Sequence, residues 1–159
     1  MRRLLLLLAM LAIVGLALAS QAVANTTVSV QMTFTEPIVQ NNETGCPVLP
    51  NGGCGNGVVV PFGHATETIV GGGACGGTCD FRTVNFASGS IYLDEVFSNG
   101  NCPGSCYPNP AEPSSGTLTD VVVGGTGTFA GATGTLSGSV RVAAGNATIK
   151  LSGTIHYDP

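Results

Sequence analysis

Residues 124–134 read GGTGTFAGATG and decide how the fold of this chain is interpreted. They follow Val121, Val122 and Val123, a β-branched run typical of a strand. Glycine occupies five of the eleven positions, and it permits backbone conformations and close approaches that other residues cannot adopt. The segment is therefore either a phosphate-binding turn or a tight connection between two strands.

A dinucleotide-binding turn requires glycines in the order GxGxxG, followed directly by a helix. After Gly127 the next glycine is Gly131, which is one position too late. Residues 135–142 then alternate as a strand, and the chain that remains is too short for a βαβ unit. The segment therefore predicts a turn between strands.

Alternation of apolar and polar residues extends along most of the chain and predicts an all-β fold. In residues 27–35, Val28, Val30, Met32 and Phe34 alternate with polar residues, and residues 147–157 show the same period of two. Seven or eight such strands suggest a closed antiparallel barrel or, alternatively, a β-sandwich. The predicted strands are 27–35, an extended stretch 58–70 interrupted at Pro61, 80–87, 90–97, 116–123, 135–142 and 147–157.

The glycine segment resembles one found in the allene oxide cyclase and dirigent-like barrel superfamily, Gly-Gly-Thr-Gly-x-Phe-x-x-Ala-x-Gly. The matching residues are Gly124, Gly125, Thr126, Gly127, Phe129, Ala132 and Gly134. The resemblance implies an antiparallel barrel of eight strands, often trimeric, in which this segment forms a tight crossover and Phe129 plugs the barrel. Dirigent proteins steer phenoxy-radical coupling, and allene oxide cyclases close a fatty-acid epoxide. Thr133 stands where dirigent proteins usually have arginine, so no catalytic residue is transferred.

The first residues have the three parts of a secretory signal peptide. Arg2 and Arg3 precede an apolar run over residues 4–18, and Ala22-Val23-Ala24 provides a small-residue cleavage site. A run of about 15 apolar residues spans roughly 22 Å as a helix, short of the ~30 Å core of a bilayer. We expect cleavage after Ala24, one barrel domain over 25–159, secretion to the extracellular space or periplasm, and no membrane attachment afterwards.

The charge balance argues against nucleic acid as a partner. The chain carries five Lys and Arg against nine Asp and Glu, for a net charge of −4, and removal of residues 1–24 would take away two of the cations. Nucleic-acid binding requires clustered cations, so nucleic acid is not expected as a partner.

The even number of cysteines in a chain with a signal peptide predicts disulfides. We favour sequential pairing, because each pair lies within its own Gly-, Pro- or Asn-rich stretch. The pairs are Cys46 with Cys54, Cys75 with Cys79, and Cys102 with Cys106. These spacings do not match a metal site, and we expect neither a metal nor a cofactor.

Catalytic candidates are few. Asp94 and Glu95 interrupt an apolar pattern, so one points inward unless a bulge leaves both in water, which we favour. Arg82 would pair with an inward carboxylate or lie at the surface, and an inward carboxylate would serve as an acid or base. Glu67 and Asp120 are predicted to be surface charges. His64 and His156 have no nucleophile signature near them.

Three functions are compatible with these patterns. The first is a secreted, non-enzymatic barrel that binds a small apolar or aromatic ligand or acts as an extracellular interaction module. The second is a dirigent- or cyclase-like protein that guides or catalyses conversion of a small hydrophobic substrate, an isomerase if it is an enzyme. The third is a structural secreted protein. A homo-oligomer, such as a trimer, is compatible with all three.

Overall fold

The computed structural model describes residues 25–37, 52–71, 79–98 and 114–159. Each strand pairs antiparallel with the next one in sequence, and the last pairs with the first, so the sheet closes into a barrel of eight strands. The predicted antiparallel barrel is thus confirmed, and the β-sandwich alternative is wrong. The strands are β1 (Thr26–Pro37), β2 (Gly52–Val60), β3 (Gly63–Gly71), β4 (Cys79–Phe86), β5 (Gly89–Ser98), β6 (Ser114–Gly125), β7 (Thr133–Ala143) and β8 (Asn146–Tyr157).

Closure of the barrel depends on the pairing of β1 with β8. The register runs from Thr26 opposite Tyr157 to Pro37 opposite Asn146, over the whole length of both strands. Because side chains alternate across a strand, every second residue points into the barrel. Val30, Met32 and Phe34 of β1 meet Ile149, Leu151 and Ile155 of β8 in the apolar core.

The second and third strands differ from the prediction. Pro61 does break the extended stretch, since Pro61 and Phe62 form the turn between β2 and β3. However, β2 begins at Gly52, whereas the glycines before Val58 predict a loop. A Cβ on Gly57 would overlap the ring of Phe34, so the absence of a side chain there lets this large interior ring pack against the strand backbone.

The glycine segment connects β6 to β7, which are neighbours in the sheet, so it is not a crossover between distant strands. Thr126 still pairs with β5, because its N–H donates to the carbonyl of Ser90 at 2.8 Å. A short 3₁₀ helix, Gly127–Phe129, follows. Gly127 has φ of +58°, and a Cβ there would overlap the carbonyl oxygen of Ser88, so glycine is required on both counts.

The 3₁₀ helix places Phe129 inside the end of the barrel, where it is 1% exposed. Its ring centroid lies 5.0 Å from Phe62, 5.1 Å from Phe86 and 5.4 Å from Tyr157. We call these four residues the aromatic plug. The aromatic plug lies at the end of the barrel that carries the turn between β2 and β3, opposite to the end where β1, β3 and β5 finish.

Several predictions from the sequence lie outside the described residues. The signal peptide, residues 1–24, is one, and Cys46, Cys75, Cys102 and Cys106 are others. Cys54 is disulfide-bonded, but its pairing with Cys46 stays a prediction, as do the other two disulfides. Over the described ranges, no helix has the length and apolar character needed to cross a bilayer.

Truncation of the aromatic plug should weaken the barrel strongly. Phe129→Ala removes a fully buried ring and is expected to lower the free energy of unfolding by about 3–5 kcal/mol. The matched control is Phe81→Ala, because Phe81 is 39% exposed on the outside of the barrel and should lose much less. Urea denaturation without reductant measures both. Equal losses for the two variants would contradict the plug.

Candidate functional site

A buried arginine organises the barrel interior on the side away from the aromatic plug. Arg82 of β4 is 2% exposed. Its Nε and Nη2 atoms donate to Glu95 Oε2 at 2.9 and 2.7 Å. Its Nη1 atom donates to Glu36 Oε1 at 2.9 Å and to Glu67 Oε2. One guanidinium thus binds carboxylates from β1, β3 and β5, and of the two arrangements predicted for Arg82 the structure shows the inward pair.

Asp94 and Glu95 point in opposite directions. Glu95 is 3% exposed and contacts Arg82, whereas Asp94 lies on the outer surface. The favoured prediction, a bulge with both groups in water, is wrong. The irregularity in the pairing of β5 with β6 lies earlier, between Tyr92 and Leu93, so the strand is regular at residues 94 and 95 and its alternation sends Glu95 inward.

Glu67 and Asp120 are also buried, at 1% and 0% exposure, so their prediction as surface charges is wrong. Their sequence neighbours are hydroxyl or β-branched residues that face outward, so the alternation of apolar and polar residues is not apparent around them. The sequence does carry a signal for the burial of Asp120. Leu118 and Val122, two residues before and after it on β6, are apolar and lie on the same face. Strict alternation across this strand places Asp120 inside.

Asp120 stands directly opposite Glu95 in the pairing of β5 with β6. No described N–H or hydroxyl group donates a hydrogen bond to either carboxylate oxygen of Asp120 or to Glu67 Oε1. We call Glu36, Glu67, Arg82, Glu95 and Asp120 the interior charge cluster. Buried acceptors without donors are rare in proteins, because each one loses its hydration without a replacement.

The environment changes the protonation of this cluster. Burial, followed by repulsion from Glu95, raises the pKa of Asp120 to about 8 against the attraction of Arg82. Burial also raises the pKa of Glu67 to about 9, although the charge of Arg82 opposes it. Burial acts to lower the pKa of Arg82, but the charges of Glu95, Glu67 and Glu36 hold it well above its usual value. Near neutral pH, Glu67 and Asp120 therefore hold protons while Arg82 is charged.

The remaining candidates lie outside the barrel. His64 is exposed, and the Nδ1 atom of His156 lies 2.8 Å from the hydroxyl of Thr27 on the outer surface. In the described part of the chain, no group of three or more His, Cys, Asp or Glu side chains is arranged to hold a metal ion. The structure therefore brings together Arg82 and Glu95 of the three catalytic candidates and adds Glu36, Glu67 and Asp120.

Comparison with known proteins does not assign a family. No known family profile matches the chain, and no curated protein sequence matches it. One similar solved structure is a pyocyanin demethylase, with 13% identity over 79% of this chain and 99% of that chain, at a TM-score of 0.34. Another is a pterocarpan synthase dirigent protein, with 14% identity over 85% of this chain and 90% of that chain, at a TM-score of 0.33.

At these TM-scores neither comparison carries an argument about this chain. The barrel is established by its own strand order and register. Membership of the superfamily that the glycine segment resembles stays a prediction.

The stability of the barrel should fall as the pH rises. The folded-state pKa values of Glu67 and Asp120 lie above their ordinary values of 4.5 and 3.8, so the folded state binds more protons than the unfolded state between those limits. The contribution of the two groups is complete below about pH 4 and is lost as the pH rises through about 8 for Asp120 and 9 for Glu67. The loss is at most about 1.4 kcal/mol per pH unit for each group.

Asp120→Asn keeps the shape of the side chain and removes its titration. The free energy of unfolding should therefore fall less steeply with pH in this variant than in the wild type between pH 5 and 8. The control is Asp94→Asn, which changes an exposed aspartate on the neighbouring strand and should leave the slope unchanged. Urea denaturation across this pH range measures the slopes. Parallel curves for wild type and Asp120→Asn would contradict the assignment.

Removal of the central cation should be costly near neutral pH. Arg82→Leu leaves Glu36, Glu67 and Glu95 without the charge they contact, and we expect a loss of about 3–5 kcal/mol. Arg141→Leu, an exposed arginine on β7, is the control and should change the stability little. Urea denaturation at pH 7 measures both variants. Equal losses in Arg82→Leu and Arg141→Leu would contradict this account.

Proposed function

We propose that this protein is a secreted, non-enzymatic barrel that binds a small molecule with an apolar body at the interior charge cluster. The observation that carries the proposal is the carboxyl group of Asp120, which is fully buried and receives no hydrogen bond from a described N–H or hydroxyl group. A group of this kind weakens the fold unless something else pairs with it. A bound molecule that contacts Asp120 would offset this cost.

The surroundings of Asp120 suit an apolar body. Leu136 of β7 stands directly opposite it, and Leu118 and Val122 flank it along β6. All three side chains belong to the same apolar core. A few polar groups set in an apolar lining are the usual composition of a small-molecule site, in which the polar groups fix the orientation.

The two ends of the barrel differ in access. The aromatic plug fills one end, while at the other the side chain of Glu36 keeps 14% of its surface exposed. Glu36 contacts Arg82, so it joins the buried part of the cluster to solvent. We therefore propose that a ligand enters from the end that carries Glu36.

A second candidate function is the isomerase- or cyclase-like reaction. The supporting observation is that Glu67 and Asp120 hold protons near neutral pH, because an acid catalyst works best when its pKa lies near the working pH. In that case Asp120 would donate a proton to the substrate, and Arg82 with Glu95 would position it. Binding is the broader proposal, since this reaction requires the same site.

Native mass spectrometry of the secreted full chain tests the proposal. We expect it to retain a small molecule, or to form a one-to-one complex with at least one aromatic probe among benzyl alcohol, acetophenone, benzylamine and benzoate. Asp120→Asn should weaken the complex about ten-fold or more, the scale of one hydrogen bond to a charged group, whereas Asp94→Asn should not change it. The same spectra report whether the chain is a trimer.

The absence of any retained molecule and of any complex with the four probes would contradict the proposed function. A complex equally strong in wild type and Asp120→Asn would place the ligand elsewhere.

A further inference from the structure

The interior charge cluster has more acceptors than donors, and this imbalance restricts the chemistry of its ligand. The ionisable groups that face this interior from the described strands are Glu36 on β1, Glu67 on β3, Asp80 and Arg82 on β4, Glu95 on β5 and Asp120 on β6. The described cations of β7 and β8, Arg141 and Lys150, lie on the outside. Arg82 is therefore the single cation among these inward groups.

Four of the five N–H donors of Arg82 are already engaged. Its Nε, Nη1 and Nη2 atoms donate to Glu95, Glu36 and Glu67. The acceptors that remain are both oxygens of Asp120 and the Oε1 atom of Glu67, each buried. Protons bound to these two carboxyl groups supply further donors, through the hydrogen bonds of Asp120 with Glu95 and of Glu67 with Glu36.

We propose that the ligand carries a protonated primary or secondary amine on its apolar body, and that this ammonium group replaces a proton held by the buried carboxyl groups. The proposal depends on the function proposed above and specifies its ligand class. An ammonium group brings both the donors and the positive charge that the cluster lacks. An anion would add a further negative charge beside Glu95 and Asp120, which lie opposite each other.

Replacement of a proton by the ammonium group can be measured as proton release on binding. Burial of an apolar molecule alone releases no proton. The amine arrives charged, Asp120 or Glu67 ionises, and the released proton passes to the buffer. Binding should therefore release up to one proton for each ligand at pH 6–7, where both carboxyl groups are protonated. The release should diminish as the pH rises through about 8 for Asp120 and about 9 for Glu67, because the groups are then ionised before the amine binds.

Isothermal titration calorimetry of the full chain with benzylamine tests this. The heat observed at pH 7 should differ between phosphate and Tris buffers, because the two buffers take up the released proton with different enthalpies. Benzylamine should bind at least ten-fold more tightly than benzyl alcohol, acetophenone or benzoate, which share its ring. Asp120→Asn should weaken benzylamine binding at least ten-fold and reduce the buffer dependence, because Glu67 is then the one remaining source of the proton.

Two variants complete the design. Glu67→Gln should reduce the affinity for benzylamine without abolishing binding, since one of its oxygens already accepts from Arg82. Asp94→Asn, with its charge on the outside of the barrel, should behave as the wild type.

Tighter binding of benzyl alcohol, acetophenone or benzoate than of benzylamine would overturn the ligand class and leave the proposed function intact. Binding of benzylamine with equal heats in both buffers would overturn the exchange of a proton for the ammonium group. Failure of all four probes would overturn both proposals.

Discussion

The contacts of Arg82 are the interaction on which the interior of this barrel depends. Arg82 is on β4, which lies between β3 and β5, so the contacts of Arg82 with Glu67 and Glu95 join neighbouring strands. Its contact with Glu36 is different, because β1 is not a neighbour of β4 in the sheet, and this ion pair crosses the barrel interior. A single guanidinium therefore connects strands that do not pair with each other. Its planar fork of donors suits this role better than the point charge of a lysine would.

The two halves of the interior follow different physical rules. Toward the aromatic plug, apolar rings pack edge to face and need no partner of defined chemistry. Toward the interior charge cluster, each group depends on the protonation of its neighbours, since Glu95 and Asp120 would repel each other if both were ionised. The first half fixes the shape of the barrel, and the second makes its stability depend on pH.

Much of the fold follows from the sequence. The alternation in β1 and β8 predicts strands with the correct inner face, and the glycine segment predicts both a turn and the inward Phe129. The beginning of β2 does not follow, because its glycines indicate a loop until Phe34 is known to pack over Gly57. Closure is also not predictable from local patterns, since it depends on pairing between the first and last strands.

The site is harder to predict than the fold, for a physical reason. A buried carboxylate is rare unless it is paired, so Glu67 and Asp120 between polar or β-branched neighbours indicate surface charge when each strand is considered alone. Their burial has a physical reason only in the folded barrel, where the charge of Arg82 on another strand attracts both carboxyl groups. Sequence alternation alone places Leu118, Asp120 and Val122 on one face. At this position the alternation predicts burial correctly, whereas the general preference of charges for water does not.

The pairing of β1 with β8 has a consequence for the order of assembly. Thr26 and Tyr157 are at opposite ends of the described chain, so among the described strand pairs β1 with β8 closes the longest loop and bears the largest chain-entropy cost. Without β8, β1 and β7 would both present open edges able to pair with a strand of another chain. Strand β8, Asn146–Tyr157, thus removes two sites of self-association, separately from anything the finished barrel binds.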